Sequence, residues 1–284
     1  MSDTDGGRPR IEILDDQDAV AERAARHVVE LLHGDELERD EIHVALTGGS
    51  SAVPLYRRLE EPALRDQIDW ERVHLWWGDE RYVPIDHPLS NAGLAYAALL
   101  DIGVATDESG QGGSSTDIAA GELPGVTLPA ANIHPFPVDA ALRESGNPAA
   151  AAKRYAEELR RIVPTDGEGL PIFDLVLLGV GPDGHILSVF PGSDALREDA
   201  PLVIAVPAPT HVEPHVPRLT LNPRIVETAR EVLVMASGSS KAEVLAQVLE
   251  GPFDPLRLPA QLAVRANALW LLDRAAAARL RDAG

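Results

Sequence analysis

Residues 173–193, FDLVLLGVGPDGHILSVFPGS, join a mainly apolar run to a glycine-rich loop. The run 173–178 predicts a buried strand, because it is short, apolar and ended by glycine. The loop contains three glycines, Gly179, Gly181 and Gly184. Asp183 and His185 lie among them. A strand that ends in such a loop is a common way to place catalytic groups at the carboxyl edge of a parallel sheet.

Strand-like and helix-like segments alternate along the rest of the chain. Apolar runs predict further strands at residues 42–46, 73–77, 231–237 and 268–272. Helical spacing of apolar residues predicts helices at residues 17–33, 53–59, 92–100, 149–162, 242–249 and 274–281. This alternation predicts an α/β fold, with a Rossmann-like, mostly parallel sheet and helices on both faces. Right-handed crossovers then bring the strand-to-helix loops to one edge.

The domain organisation follows from the same pattern. We expect a single α/β domain over residues 1–284, because no flanking segment is long enough to fold separately. Residues 101–129 are rich in Gly, Ser, Thr, Asp and Pro. That composition predicts a flexible surface insertion.

Composition narrows the function classes. The formal net charge is −20, which disfavours nucleic acids and anionic membranes as partners. A small anionic substrate responds instead to the local field of its pocket. The chain has no cysteine, which excludes disulfides and thiolate metal sites. No apolar run approaches a membrane span and no signal peptide is visible, so we expect a cytoplasmic protein.

Two motif matches are rejected on their context. The loop 179–184 formally matches G-x-G-x-x-G, but the dinucleotide fingerprint needs a helix opening inside the motif and an acid about twenty residues later. Neither is present. The run HVEPH at residues 211–215 suggests metal ligands, but Pro214 forbids the helix of a zinc-binding H-E-x-x-H motif. We interpret it as a loop that brings Arg218 toward the site.

Three further loops can carry polar chemistry. TGGSS at residues 47–51 and GSSK at 238–241 each follow a strand and open a helix, where main-chain N–H groups suit a phosphate. Each alone is a simple capped turn, but two at one sheet edge favour a sugar-phosphate site. In GDER, residues 78–81, Arg81 can offer a planar fork of donors to an oxyanion or carboxylate. The alternative is a surface ion pair among Asp79, Glu80 and Arg81.

Taken together, these segments resemble the 6-phosphogluconolactonase family, which shares its fold with the glucosamine-6-phosphate deaminases. The matching pieces are LTGGSSAVPLY, WWGDERYVPIDHPLSN, FDLVLLGVGPDGHILSVFPGS, RLTLNPRIVETAREVLVMASGSSKAEVL and PAQLAVRANALWLLDRAA, in that order. Deaminases of this fold show DEY and GHIAFNEP where this chain has GDERYVP and GHILSVFPGS, the lactonase pattern. Ile186 and Leu187 depart from it, because lactonases usually have Thr and Ala there.

The resemblance implies a role for each site residue. His185 would be the general base toward water, Asp183 would orient it, and Arg81 would stabilise the oxyanion or bind substrate hydroxyls. The phosphate would be held by Gly48, Gly49, Ser50, Arg218 and Lys241. The implied reaction is hydrolysis of 6-phospho-D-glucono-1,5-lactone to 6-phospho-D-gluconate in the oxidative pentose phosphate pathway, with no metal or organic cofactor.

Two alternative functions remain open at this point. An amino-sugar-phosphate deaminase/isomerase would release ammonia from glucosamine 6-phosphate, and GDER argues against it. A catalytically silent sugar-phosphate-binding module is disfavoured by the Asp183 and His185 pair. It is also disfavoured by the lack of a basic DNA-binding segment. The sequence leaves the oligomeric state open between monomer and dimer.

Overall fold

A seven-stranded parallel sheet lies at the centre of the molecule. The computed structural model describes residues 7–33, 39–100, 126, 128–144 and 146–281. Across the sheet the strands lie in the order β1 (Arg10–Leu14), β10 (Ala268–Asp273), β9 (Glu231–Ala236), β6 (Leu175–Gly179), β2 (Ile42–Leu46), β3 (Val73–Trp77) and β5 (Ile133–His134). Every neighbouring pair runs parallel, which confirms the predicted fold class.

The central strands are almost entirely buried, with β6 half-exposed only at Gly179 and β9 only at Glu231. Every residue of β2 and β3 is buried, as continuous apolar runs require when both faces of a parallel sheet are covered. The covering helices include α1 (Gln17–Leu32), α2 (Ala52–Glu60), α3 (Pro62–Arg65), α4 (Asn91–Ala98), α5 (Val138–Glu144), α6 (Pro148–Ile162), α7 (Ile225–Thr228), α8 (Ala242–Glu250) and α9 (Arg274–Ala277). Among these described helices, none is long and apolar enough to cross a membrane.

The structure contains a small antiparallel sheet that the sequence patterns did not predict. It consists of β4 (Asp79–Arg81), β8 (Arg218–Leu221) and β7 (Val203–Val206). Three or four residues are too few to show the alternation that marks a strand. This sheet pairs Arg81 directly with Arg218 in its register. It therefore brings together two cations that lie far apart in the chain.

Several predicted boundaries shift. The strand predicted at 173–178 begins at Leu175, because the Asp174 side chain, rather than a strand ladder, accepts the His43 N–H at 2.8 Å. The last helix, predicted over 274–281, ends at Ala277. The insertion predicted at 101–129 lies outside the described residues, apart from residues 126, 128 and 129. Val126 in that segment is fully buried.

Candidate active site

The loops singled out in the sequence lie at one edge of the large sheet. Strands β9, β6, β2 and β3 are consecutive neighbours and run parallel. Their following loops, at residues 237–241, 180–185, 47–51 and 78–81, therefore emerge on the same side. This is the edge at which open α/β sheets bind ligands.

The loop after β6 holds an imidazole against a carboxylate. Nδ1 of His185 lies 2.5 Å from Oδ1 of Asp183. The glycines allow this geometry: Gly184 has a φ of +82°, and a Cβ at Gly181 would lie 2.0 Å from His185 Nδ1. The Gly181 N–H donates to the His185 carbonyl at 2.8 Å. The ring thus packs directly on the main chain of its own loop.

Asp183 also bonds a second imidazole, which the sequence reasoning did not anticipate. Nε2 of His211 lies 2.9 Å from Oδ2 of Asp183. Burial opposes ionisation, but the hydrogen bonds from His185 and His211 and the charge of His185 hold the pKa of Asp183 well below its usual range. The interpretation of 211–215 as a linking loop toward Arg218 thus missed His211. No local pattern connects two residues 28 positions apart, so only the fold reveals this contact.

An aromatic ring connects the two histidines to Arg218. The Phe190 ring lies 4.7 Å from the His185 ring and 5.7 Å from the His211 ring, measured between centroids. The Arg218 guanidinium lies 5.3 Å from the Phe190 centroid, within the range of a cation–π contact. Arg218 is 2% exposed, and burial lowers its pKa. Its Nη2 donates to the Pro214 carbonyl at 3.2 Å.

Arg81 and Arg218 form a paired cationic centre. They lie opposite each other on β4 and β8, and the Arg81 charge lowers the pKa of Arg218. Arg81 Nη1 donates to the Leu89 carbonyl at 2.8 Å. The Nε atoms of both arginines are buried without a hydrogen-bond partner. A buried guanidinium group beside a half-buried one, each with a buried Nε donor that has no partner, forms a site that an anion would satisfy.

The alternative reading of GDER as a surface ion pair is wrong, because both acids are buried and neither pairs with Arg81. Glu80 is 3% exposed and accepts the main-chain N–H groups of Arg81, Asn91 and Ala92 at 2.7–2.8 Å. It thereby caps the start of α4. Burial raises the pKa of Glu80 to about 7, against the effect of these hydrogen bonds.

Asp79 links GDER to the loop after β6. Its Oδ2 accepts the Ser188 hydroxyl at 2.6 Å, and its carbonyl accepts Asn91 Nδ2 at 2.9 Å. Asn91 in turn packs on Gly48, where a Cβ would lie 1.8 Å from Asn91 Oδ1. The structure therefore links Gly48 to the other loops through Asn91, Asp79 and Ser188. This close packing requires a residue without a side chain at position 48, which only glycine provides.

The remaining predicted phosphate ligands lie on two loops. Gly49, which has a φ of +91°, is half-buried and Ser50 is exposed, and both lie in the loop after β2 at this edge of the sheet. Lys241 Nζ donates to the Val180 carbonyl at 2.7 Å, and burial lowers the Lys241 pKa. This bond brings Lys241 onto the loop that carries the histidine.

The two departures from the lactonase pattern are packing residues. Ile186 is fully buried and Leu187 is 6% exposed. Leu187 has a φ of +54°, and a Cβ at Gly78 would lie 2.6 Å from its Cδ2. Both side chains therefore belong to the hydrophobic core. Among the described residues, no group of three or more His, Asp or Glu side chains is arranged to hold a metal ion.

The fold and the loop chemistry define a class: a Rossmann-like α/β protein with a histidine–carboxylate pair and converging cations at the carboxyl edge of its sheet. The family described as glucosamine-6-phosphate isomerases/6-phosphogluconolactonase matches residues 15–271, and the chain belongs to this family. The resemblance seen in the sequence is thus confirmed.

Individual relatives extend along nearly the whole chain. A 6-phosphogluconolactonase of Mycobacterium tuberculosis is 36% identical over 271 residues, 95% of this chain and 98% of the relative. One of Synechocystis sp. is 33% identical over 274 residues, 96% of this chain and 99% of the relative. The solved structure of a 6-phosphogluconolactonase from Trypanosoma cruzi superposes with a TM-score of 0.77 at 28% identity, covering 96% of this chain and 97% of that one.

Proposed function

We propose that the protein hydrolyses 6-phospho-D-glucono-1,5-lactone to 6-phospho-D-gluconate, a reaction of the oxidative pentose phosphate pathway, in the cytoplasm. The observation that carries this proposal is the His185 imidazole held 2.5 Å from Asp183. This pair lies at the sheet edge, where Arg81 and Arg218 also converge. The family membership and the relatives named 6-phosphogluconolactonase support the same reaction.

His185 supplies the base. Because its Nδ1 faces the Asp183 carboxylate, we assign the ring proton to Nδ1 and the lone pair to Nε2. Nε2 takes a proton from a water molecule as its oxygen attacks the lactone carbonyl carbon. The tetrahedral intermediate then collapses, the bond from this carbon to the ring oxygen breaks, and the imidazolium returns the proton to that oxygen. Asp183 keeps the ring oriented and stabilises its charged form.

The cations bind and polarise the substrate. Arg81, with a buried donor free at Nε, stabilises the negative charge that develops on the carbonyl oxygen. Arg218 and Lys241, with the main chain of Gly48, Gly49 and Ser50, hold the phosphate. A lactone is an activated ester, so a water, a base and an electrostatic clamp suffice for its hydrolysis.

The test is an assay of the purified protein with freshly made lactone. Product is measured through 6-phosphogluconate dehydrogenase, with spontaneous hydrolysis subtracted, and His185→Ala serves as the inactive control. We expect turnover that exceeds the spontaneous rate and is lost in the variant. Ammonia release from glucosamine 6-phosphate, measured in parallel, would instead support a deaminase. No activity on either substrate would support a silent binding module.

A further inference from the structure

We propose that His211 is a positioning residue of this reaction, one that acts through Asp183 to set the lower pH limit at which His185 works as a base. The inference rests on the proposed lactonase activity. Its geometric basis is a carboxylate shared by two rings: Asp183 Oδ1 faces His185 at 2.5 Å and Oδ2 faces His211 at 2.9 Å.

The shared carboxylate couples the two imidazoles electrostatically. Asp183 attracts a proton to each ring, and each hydrogen bond that it accepts weakens its attraction for the other ring. A proton on His211 also places a positive charge on the far side of the carboxylate, which disfavours a second charge on His185. His211 therefore keeps His185 unprotonated, and so able to accept a proton from water, to a lower pH.

Exposure distinguishes the parts played by the two rings. The His185 side chain is 13% exposed, whereas the His211 side chain is 52% exposed. His211 can therefore exchange protons with bulk water, while His185 is enclosed by its own loop and by Phe190. Because His211 is half exposed, its substitution leaves no large cavity, and the variants should fold.

Hydrogen bonds hold the loop that carries His211 in place. His215 Nδ1 lies 2.7 Å from the Pro209 carbonyl, and the Pro214 carbonyl accepts a hydrogen bond from Arg218. These contacts fix both ends of the segment, and the Phe190 ring meets His211 edge to face. The contact with Asp183 is therefore supported by the surrounding structure.

Other charged groups surround the pair. Asp183 acts electrostatically on the cations Arg218 on β8 and Lys241 after β9, and it lines a cavity together with Glu243 and Arg257. The loop of His211 also carries Glu213 and His215. All of these groups are present in the wild type and in every His211 variant. Differences between these proteins therefore isolate the effect of His211.

The test compares kcat/KM from pH 5 to 9 for the wild type, His211→Gln and His211→Ala. The reaction is followed by trapping the remaining lactone with hydroxylamine. Glutamine can keep a neutral donor near Asp183 but cannot titrate. The surface variant His33→Gln is the control for a histidine outside the site. We expect the acid limb of the profile to move up by about half to one pH unit in His211→Ala, and by less in His211→Gln.

An NMR titration of the imidazole Cε1–H signals gives a readout that does not depend on turnover. In the wild type, the His185 signal should also respond to protonation of His211, and this response should disappear in His211→Gln. Superimposable pH profiles, or an unchanged His185 titration, would overturn the inference. So would a large loss of kcat/KM at pH 8 with the acid limb unmoved, since that marks a substrate contact. If the wild type lacks lactonase activity but the coupled titration is present, the proposed function fails while the coupling stands.

Discussion

Substitution of Gly181 by alanine should inactivate the protein without unfolding it. A Cβ at this position would lie 2.0 Å from Nδ1, 2.1 Å from Cε1 and 2.6 Å from Cγ of His185. Carbon atoms in ordinary contact are about 3.5–4.0 Å apart, so the ring must withdraw by more than about 1 Å. The 2.5 Å contact between His185 and Asp183 cannot survive that displacement.

The expected loss of activity follows from the displacement. A misplacement of about 1 Å can cost about 10²-fold in rate, and complete loss of a general base costs about 10²–10⁴-fold. We therefore expect kcat of Gly181→Ala to fall by about 10²-fold or more. Gly181 is not among the glycines with a positive φ, so the alanine main chain itself is not strained. Overpacking should cost about 1–3 kcal/mol of stability, which leaves a folded protein.

The matched control is Gly179, the last residue of β6, immediately before the same loop. Around Gly179 no atom lies within 4 Å of a Cβ, so Gly179→Ala should retain nearly full activity. Both variants are assayed for lactone hydrolysis, and thermal unfolding followed by circular dichroism verifies that they fold. If Gly181→Ala kept activity within a few-fold of the wild type, or if Gly179→Ala lost as much, the argument from ring displacement would be refuted.

Two further predictions concern substrate binding and acid stability. Lys241→Ala should raise KM about 10-fold or more with little change in kcat, because a phosphate is held equally in the ground and transition states. Substitution of the exposed Lys153 by alanine is the control. An unchanged KM in Lys241→Ala would show that Lys241 does not bind the phosphate. Burial, with the neighbouring His74 and His134, lowers the pKa of His43 to about 4, against about 6.5 in the unfolded chain. Neutral His43 therefore contributes up to about 3 kcal/mol to the free energy of unfolding above pH 6.5, and this contribution is lost as the pH falls toward 4. His43→Asn, whose amide oxygen can still accept the Trp76 N–H, should flatten this pH dependence in urea unfolding, and an unaltered slope would contradict the assignment.

Much of the large sheet could be predicted from the sequence, because β2, β3, β6 and β9 are mainly apolar runs that end at or within two residues of a glycine, whereas the edge strands β1 and β5 were not predicted. The prediction at 73–77 matches β3 at both ends. Parallel strands then forced the glycine loops to one edge, so the placement of His185 and Lys241 could be anticipated without coordinates. The prediction of one domain over residues 1–284 and the roles given to the site residues stay predictions.

The contacts between distant loops could not be predicted. Asp79 and Glu80 look like surface acids, because a single sequence does not show the hydroxyl and N–H donors that make their burial possible. His211 lies in a proline-containing loop with no periodicity, and its partner Asp183 is 28 residues away. Such contacts depend on which loops the folded sheet brings together, and that information is spread over the whole chain.

The most direct test of the central claim, that His185 is the base in lactone hydrolysis, is kcat of His185→Ala with 6-phosphogluconolactone. The proposed mechanism predicts a fall of about two to four orders of magnitude, with the thermal unfolding midpoint retained. Near-normal turnover by a folded His185→Ala protein would contradict it.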